Sequence, residues 1–200
     1  TTPKSLMMVN GQPLLERNIE YMIEAGFDRI ILVVGFKKEK FYYLEDKYPI
    51  VKIVENDMYD TANTIASIYY ASKYFDCESY ITTADNYLSE NPYIKYVGDS
   101  NFYILRPFNT FEKSEWTAVL DDNSRFTSVN LKSYEGNSYT GMSHWSFDTL
   151  QIIKNKLDQV DWNNPSQRNR YWDELLLNDF VPKNNTQFHI YLTPHINQHT

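Results

Sequence analysis

Residues 13–35, PLLERNIEYMIEAGFDRIILVVG, decide the fold class. Leu15, Ile19, Met22 and Ile23 recur at helical spacing, which predicts a helix from Pro13 to Ala25 with Gly26 as its natural stop. Arg29 to Val34 (RIILVV) is then an almost unbroken β-branched run ending at Gly35, the pattern of a strand buried on both faces of a parallel sheet. The rhythm repeats. Lys37 to Tyr48 reads as a charged amphipathic helix, Val51 to Val54 as a short strand, Ala62 to Tyr74 as a helix and Ser79 to Thr83 as a strand. Such alternation predicts an α/β fold with a mainly parallel central sheet and helices on both faces.

After Asp85 the texture changes. Phe102 to Arg106, Trp116 to Leu120, Phe126 to Leu131 and Tyr139 to Phe147 read as strands separated by turn signals such as Asp121-Asp122-Asn123-Ser124, so this half is expected to be a mixed or antiparallel, substrate-facing layer. Asp148 is placed to cap a helix running to about Leu157, Arg170 to Asn178 reads as a second short helix, and Phe188 to Leu192 as a last strand. With 200 residues, 42% of them hydrophobic, and no repeat or dividing linker, residues 1–200 are expected to form a single domain.

Charge and cysteine usage narrow the function classes. A net charge of −7 argues against nonspecific nucleic-acid binding, which needs a basic surface to release counterions. The single cysteine, Cys77, has no internal partner and fits a reducing, cytoplasmic setting. No apolar run approaches the roughly 18 residues that span a bilayer, and TTPKSLMMVNGQP lacks the pattern of a secretory signal, so no membrane insertion is expected.

Four short constellations are candidates for chemistry. In Thr82-Thr83-Ala84-Asp85-Asn86 an apolar strand runs into a carboxylate, and ligands of open α/β sheets bind beyond the carboxyl ends of strands. Taken alone, Asp85 also reads as the cap of a turn or helix. Tyr171-Trp172-Asp173 sets a carboxylate beside two aromatics after the polar loop 163–169. A second aspartate there would complete a two-carboxylate magnesium site, although the same acid near a helix N-terminus has a dipole explanation. Glu115-Trp116 opens a strand, where a tryptophan is more often packing than ligand contact. Thr2-Pro3-Lys4-Ser5 fixes a lysine in a loop, where a phosphate partner and plain surface exposure both remain open.

The flanks of that lysine are informative. PKSLMMVNGQPLLERNIEYM resembles the stretch that follows the glycine-rich loop in sugar-nucleotide pyrophosphorylases and related nucleotidyltransferases. Through VENDMYDTANTIASIY, TADNYL, SEWTAVLDD, the Gly141-Met142-Ser143 strand and YWDELLLND, in that order, the chain resembles the bacterial CTP:phosphocholine cytidylyltransferases of that superfamily. The resemblance implies a Rossmann-like, three-layer α/β/α nucleotidyltransferase fold. It also implies that Lys4 contacts the nucleotide phosphates, that Asp85 and Asp173 bind Mg²⁺, that Trp116 and Tyr171 surround the choline head, and that Asn63 and Ser67 lie near the nucleotide. The family's first strand and its G-x-G-x-R type loop are expected before Thr1, and the extreme C-terminus beyond Thr200. A choline kinase, fused or associated, is the macromolecular partner this resemblance leaves open.

The implied reaction is attack by a phosphomonoester oxygen on the α-phosphorus of CTP, with pyrophosphate leaving in line. Both reactants are anionic, so the protein's tasks are to screen repulsion and to align the phosphates. A quaternary ammonium has no N–H and is recognised by charge and aromatic faces, at roughly 0.5–2 kcal/mol per cation–π contact, which favours phosphocholine over a hydroxyl-rich sugar. Neighbours Tyr171, Trp172 and Asp173 cannot all face one pocket from a regular helix, so Tyr171 and Asp173 are assigned to the site and Trp172 to packing. The alternatives are a nucleotidyltransferase for a sugar-1-phosphate or for aminoethyl phosphonate or phosphate, and a noncatalytic nucleotide-binding module.

Overall fold

A computed structural model describes residues 2–98, 101–109, 115–122, 126–174, 189–192 and 196–198. From the N-terminus the elements are β1 (Met8–Val9), β2 (Gln12–Pro13), α1 (Leu14–Glu24), β3 (Ile30–Val34), α2 (Tyr43–Lys47), β4 (Val51–Glu55) and α3 (Thr64–Ser72). Next come β5 (Ser79–Thr82), β6 (Asn86–Leu88), α4 (Pro92–Lys95), β7 (Phe102–Asn109), β8 (Glu115–Leu120), β9 (Phe126–Ser133) and β10 (Glu135–Trp145). The remainder are α5 (Phe147–Leu157), α6 (Pro165–Arg168), α7 (Trp172–Glu174), β11 (His189–Leu192) and β12 (Ile196–Gln198). They belong to two compact units: Thr1–Ala25, Ser79–Ser146 and Thr186–Thr200 form the first, Gly26–Glu78 and Phe147–Asn185 the second.

The first unit is organised on β10. One edge of this strand pairs along its length with β7; the other is shared by β8, at Asn137 and Ser138, and β5, at Met142 to Trp145. All three ladders are antiparallel, and β11 adds a parallel strand outside β7. Phe102, Tyr103, Ile104 and Leu105 are all buried, as expected of a strand covered on both faces. α1 buries the stripe Leu14, Leu15 and Ile19, spaced for one helix face, and Glu16 lies in its first turn, where a negative charge suits the helix dipole.

In the second unit β3 and β4 pair in parallel from Ile30–Val51 to Val34–Glu55. α3 packs on both strands through its buried Ile65 and Ala66, and also meets α5 and α7. α5 turns Leu150, Ile153 and Leu157 inward at the three-to-four-residue spacing of an apolar helix face. Gly35, directly after β3, is required sterically, since any Cβ there would overlap the side chain of Tyr59.

Three local expectations change. The helix read over Lys37 to Tyr48 is instead a 3-10 turn at Lys38–Lys40 followed by the short α2, and Lys37, ahead of both, takes a left-handed conformation (φ 55°) that keeps it out of the helix. The strand read over Tyr139 to Phe147 starts earlier, at Glu135, and Phe147 opens α5, so Asp148 lies in the first turn rather than at the cap. β5, read as part of a parallel alternation, pairs antiparallel with β10.

The Arg29 guanidinium holds Asp76 bidentately, one bond being 2.9 Å from Nη1 to Oδ2, and draws the Asp76 carboxyl below its ordinary range. A carboxyl depressed in the folded state adds stability above the unfolded value, near pH 4, and loses it as pH falls through the folded value. Both groups are well exposed, so the effect is small. Asp76→Asn is therefore expected to flatten the fall of Tm on acidification below about pH 4; Tm profiles of the two proteins that stay parallel through that window would contradict the assignment.

Candidate active site

In the first unit the sheet hydrogen bonds lead to Asp85. Thr82 pairs with Met142, and the next ladder bond is Thr83 N donating to Gly141 O at 3.2 Å. β10 has a bulge there. Against β7 its register passes from Tyr139–Leu105 straight to Met142–Ile104, leaving Thr140 and Gly141 as additional residues. Gly141 takes φ 72°, and a Cβ on it would fall 2.6 Å from Thr83 Cγ2, so both conformation and space call for glycine. The neighbouring carbonyl of β10, Thr140 O, accepts from the Asn86 side chain, Nδ2 at 2.8 Å. Ala84 and Asp85 are thereby left outside the ladder. The Asp85 carboxylate is half-buried and has no hydrogen-bond or ion-pair partner among the described residues.

Trp116 approaches the same stretch of β10 from the other direction. It is the second residue of β8, directly before the Thr117–Ser138 pair, and is half-buried. Opposite it β9 holds an extra residue, since Glu115 pairs with Ser133 but Thr117 with Asn130, and Asn130 Oδ1 accepts from the loosened Lys132 N–H at 3.2 Å. Lys4 lies in the 3-10 turn Lys4–Leu6; its exposed ammonium makes no ion pair among the described residues.

In the second unit, the N-terminus of α3 and the segment 168–174 are tied together. Asn63 caps α3, its Oδ1 accepting from Thr64 N at 2.7 Å, while its Nδ2 donates to Asn169 O at 3.2 Å and its own N–H to Arg168 O at 2.9 Å. Thr64 Oγ1 accepts from Trp172 N at 3.2 Å. Glu174 Oε2 reaches back to accept from Tyr171 N at 3.0 Å, half of a capping box. This leaves Tyr171 46% exposed, Trp172 only 6% exposed, and Asp173, next in the chain, half-buried. Ser67 Oγ accepts from Asn56 Nδ2 at 3.2 Å, fixing the buried amide that follows β4. Beside it, the Lys38 ammonium and then the Tyr42 hydroxyl, 2.8 Å away, hold the Glu55 carboxyl below its usual range.

The sequence-read candidates thus fall into two groups. Lys4, Asp85 and Trp116 belong to the first unit, and β10 carries the pairings that place Asp85 and Trp116. Asn63, Ser67, Tyr171 and Asp173 belong to the second, where α3 and the 168–174 segment join residues more than 100 positions apart. Asn63 spends most of its amide on capping and bridging. Asn86 and Thr140 were not singled out by sequence reasoning. The available signal was Gly141 in a strand pattern, since an isolated strand glycine marks a bulge or a close backbone approach. A carboxylate with unused lone pairs, such as Asp85, suits a hard cation that prefers oxygen ligands. Among the described residues no group of three or more His, Cys, Asp or Glu could hold a metal. A magnesium site of one or two carboxylates plus phosphate oxygens does not need one. Among the described residues no helix is long and apolar enough to cross a membrane.

No protein-family model matches the chain. Individual proteins do. It is 32% identical over 175 residues to a choline-phosphate cytidylyltransferase of Streptococcus pneumoniae, covering 88% of this chain and 74% of that protein. It is 30% identical over 179 residues to a 2-aminoethylphosphonate cytidylyltransferase of Lancefieldella rimae, covering 89% and 72%. The solved structure of CTP:phosphocholine cytidylyltransferase from Streptococcus pneumoniae superimposes with a TM-score of 0.86 at 28% identity, over 100% of this chain and 85% of that one. The fold is therefore the Rossmann-like α/β fold of nucleotidyltransferases, and the chain belongs to the choline-phosphate cytidylyltransferase family of these enzymes.

Proposed function

We propose that this protein transfers CMP from CTP to phosphocholine, with Mg²⁺, giving CDP-choline and pyrophosphate. One observation carries the metal-dependent part of the reading: an aspartate carboxylate set outside the sheet at the end of β5, with no protein partner among the described residues. The choice of phosphocholine draws on the 32% identity to a choline-phosphate cytidylyltransferase and on the aromatic residues Trp116 and Tyr171.

The proposed metal ligands are Asp85 and Asp173, and a bound divalent ion would supply charge neutralisation along the triphosphate. Lys4, whose ammonium is exposed, would neutralise further phosphate charge. Trp116 and Tyr171 would offer ring faces to the trimethylammonium group, which has no N–H to donate. Asn63 and Ser67 would act near the nucleotide chiefly by holding the α3 N-terminus and Asn56 in place. The phosphocholine oxygen attacks the α-phosphorus, the bond to the pyrophosphate oxygen breaks, and no covalent enzyme intermediate is required. We further propose that residues 1–200 act as one catalytic domain, in a cytoplasmic setting, with a choline kinase, fused or associated, as the macromolecular partner.

A second reading has its own support. The 30% identity to a 2-aminoethylphosphonate cytidylyltransferase makes that phosphonate the competing acceptor. A primary ammonium donates hydrogen bonds as well as meeting a ring face, so the two acceptors should respond differently to loss of an aromatic. Trp116→Ala is expected to raise the KM for phosphocholine by roughly 5- to 30-fold while leaving the KM for CTP unchanged. Steady-state kinetics with CTP and a panel of phosphocholine, 2-aminoethylphosphonate and a hexose-1-phosphate tests both points. Preference for the phosphonate would replace the acceptor, and equal loss toward CTP and phosphocholine would remove Trp116 from the choline site.

A further inference from the structure

Between its pairing with β5 and its pairing with β8, β10 has two successive carbonyls that both hold the segment carrying Asp85. Gly141 O receives Thr83 N–H at 3.2 Å and Thr140 O receives Asn86 Nδ2 at 2.8 Å. Residues 84 and 85 lie between these two anchors. In an uninterrupted antiparallel ladder, the chain after Thr83 would continue alongside β10. Here a side-chain amide occupies the next carbonyl, so the backbone is diverted and Asp85 leaves the sheet.

Each anchor is itself held. Thr140 Oγ1 donates to Ile104 O at 2.6 Å, which pins the bulge to β7, and Asn86 O accepts from Asn18 Nδ2 of α1 at 3.3 Å. Asn86 is 1% exposed, and its Oδ1 has no partner among the described residues. A buried acceptor left unsatisfied is unfavourable, so the fold retains this amide for its donor. The opposite anchor tolerates no side chain at Gly141, where a Cβ would press on Thr83.

We infer that Asn86 and the Thr140–Gly141 bulge are positioning elements for Asp85, a two-point clamp that holds its carboxylate outside the β5–β10 ladder in the orientation that binds the cation. The inference rests on the reading of Asp85 as a metal ligand. Groups that orient a ligating carboxylate typically change metal affinity or activity by about 10- to 100-fold when removed.

The test uses the whole chain with Asn86→Ala, which releases one anchor, and Gly141→Ala, which pushes on the other. For both, kcat is expected to fall by about 10- to 100-fold with the KM for phosphocholine unchanged. Mn²⁺ binding, followed by electron paramagnetic resonance, should weaken over the same range. Hydrogen exchange at the Thr83 amide should quicken by about 10-fold or more. In an Asp85→Ala background neither change should lower kcat further, as expected of residues acting through one group. If Asn86→Ala does not fold, Gly141→Ala provides the same readouts from the other anchor. Wild-type kcat and Mn²⁺ affinity in a folded variant whose Thr83 exchange has quickened would overturn the inference, as would undiminished loss in the Asp85→Ala background. Wild-type turnover by Asp85→Ala alone would instead remove the metal reading, and this inference with it. That outcome is distinguishable because Thr83 exchange would still report a released clamp.

Discussion

Asp85→Asn is expected to lower kcat by about 10³-fold, close to 4 kcal/mol of transition-state stabilisation, while leaving Tm essentially unchanged. Activity should suffer because the acid is the group proposed to meet the cation, and the amide keeps its shape while losing its charge. Stability should not, because the carboxylate is half-buried and makes no hydrogen bond or ion pair among the described residues, so its replacement breaks nothing in the fold. Steady-state rates with CTP, phosphocholine and Mg²⁺, together with a thermal melt, measure both halves. Asp173→Asn is expected to lose activity in the same direction. Near-normal turnover in the Asp85 variant would end the metal assignment, whereas a large drop in Tm would mean that the side chain has a structural partner.

The largest expected effect on stability lies in the first unit's core. Trp145→Ala should destabilise the protein by about 3–5 kcal/mol, the range for removing a large buried aromatic. The side chain is 0% exposed, and its ring meets Tyr103 edge-on, with centroids 5.5 Å apart at 88°. Its Nε1 donates to Ser143 Oγ at 2.8 Å, so truncation also takes a donor away from a buried hydroxyl. Trp145 is paired with Ser79 at the far end of the β5–β10 ladder from Thr82 and Met142, so loss of packing there loosens the strand that delivers Asp85. Urea denaturation monitored by circular dichroism gives the value directly. Trp145→Phe, which retains the ring bulk and loses the N–H donor, should cost only about 1–2 kcal/mol. A change under about 1 kcal/mol in the alanine variant would show that the cavity collapses or that this ladder adds little to global stability.

Much of the α/β half was legible because its signals are local. The period-3.6 stripe of α1 and the β-branched run of β3 each report burial through side-chain spacing alone. The late helix start after Lys37 was not legible, because a left-handed lysine leaves no mark in a periodic charged stretch. Helix geometry says only that Tyr171, Trp172 and Asp173 cannot all face one pocket, and Trp172, the one assigned to packing, is buried.

By itself, the order of residues determined the α/β class and the family resemblance, and it supplied the candidate side chains proposed for chemistry, Lys4, Asp85, Trp116, Tyr171 and Asp173 among them. Only the tertiary structure decided how those side chains are presented. Asn86 closes on Thr140 across 54 positions and Trp172 on Thr64 across 108, and such pairings depend on which backbone groups the fold leaves in need of a partner. A hydrogen-bond deficit of that kind is a property of the assembled sheet and helix ends, and no periodicity within a window of sequence encodes it.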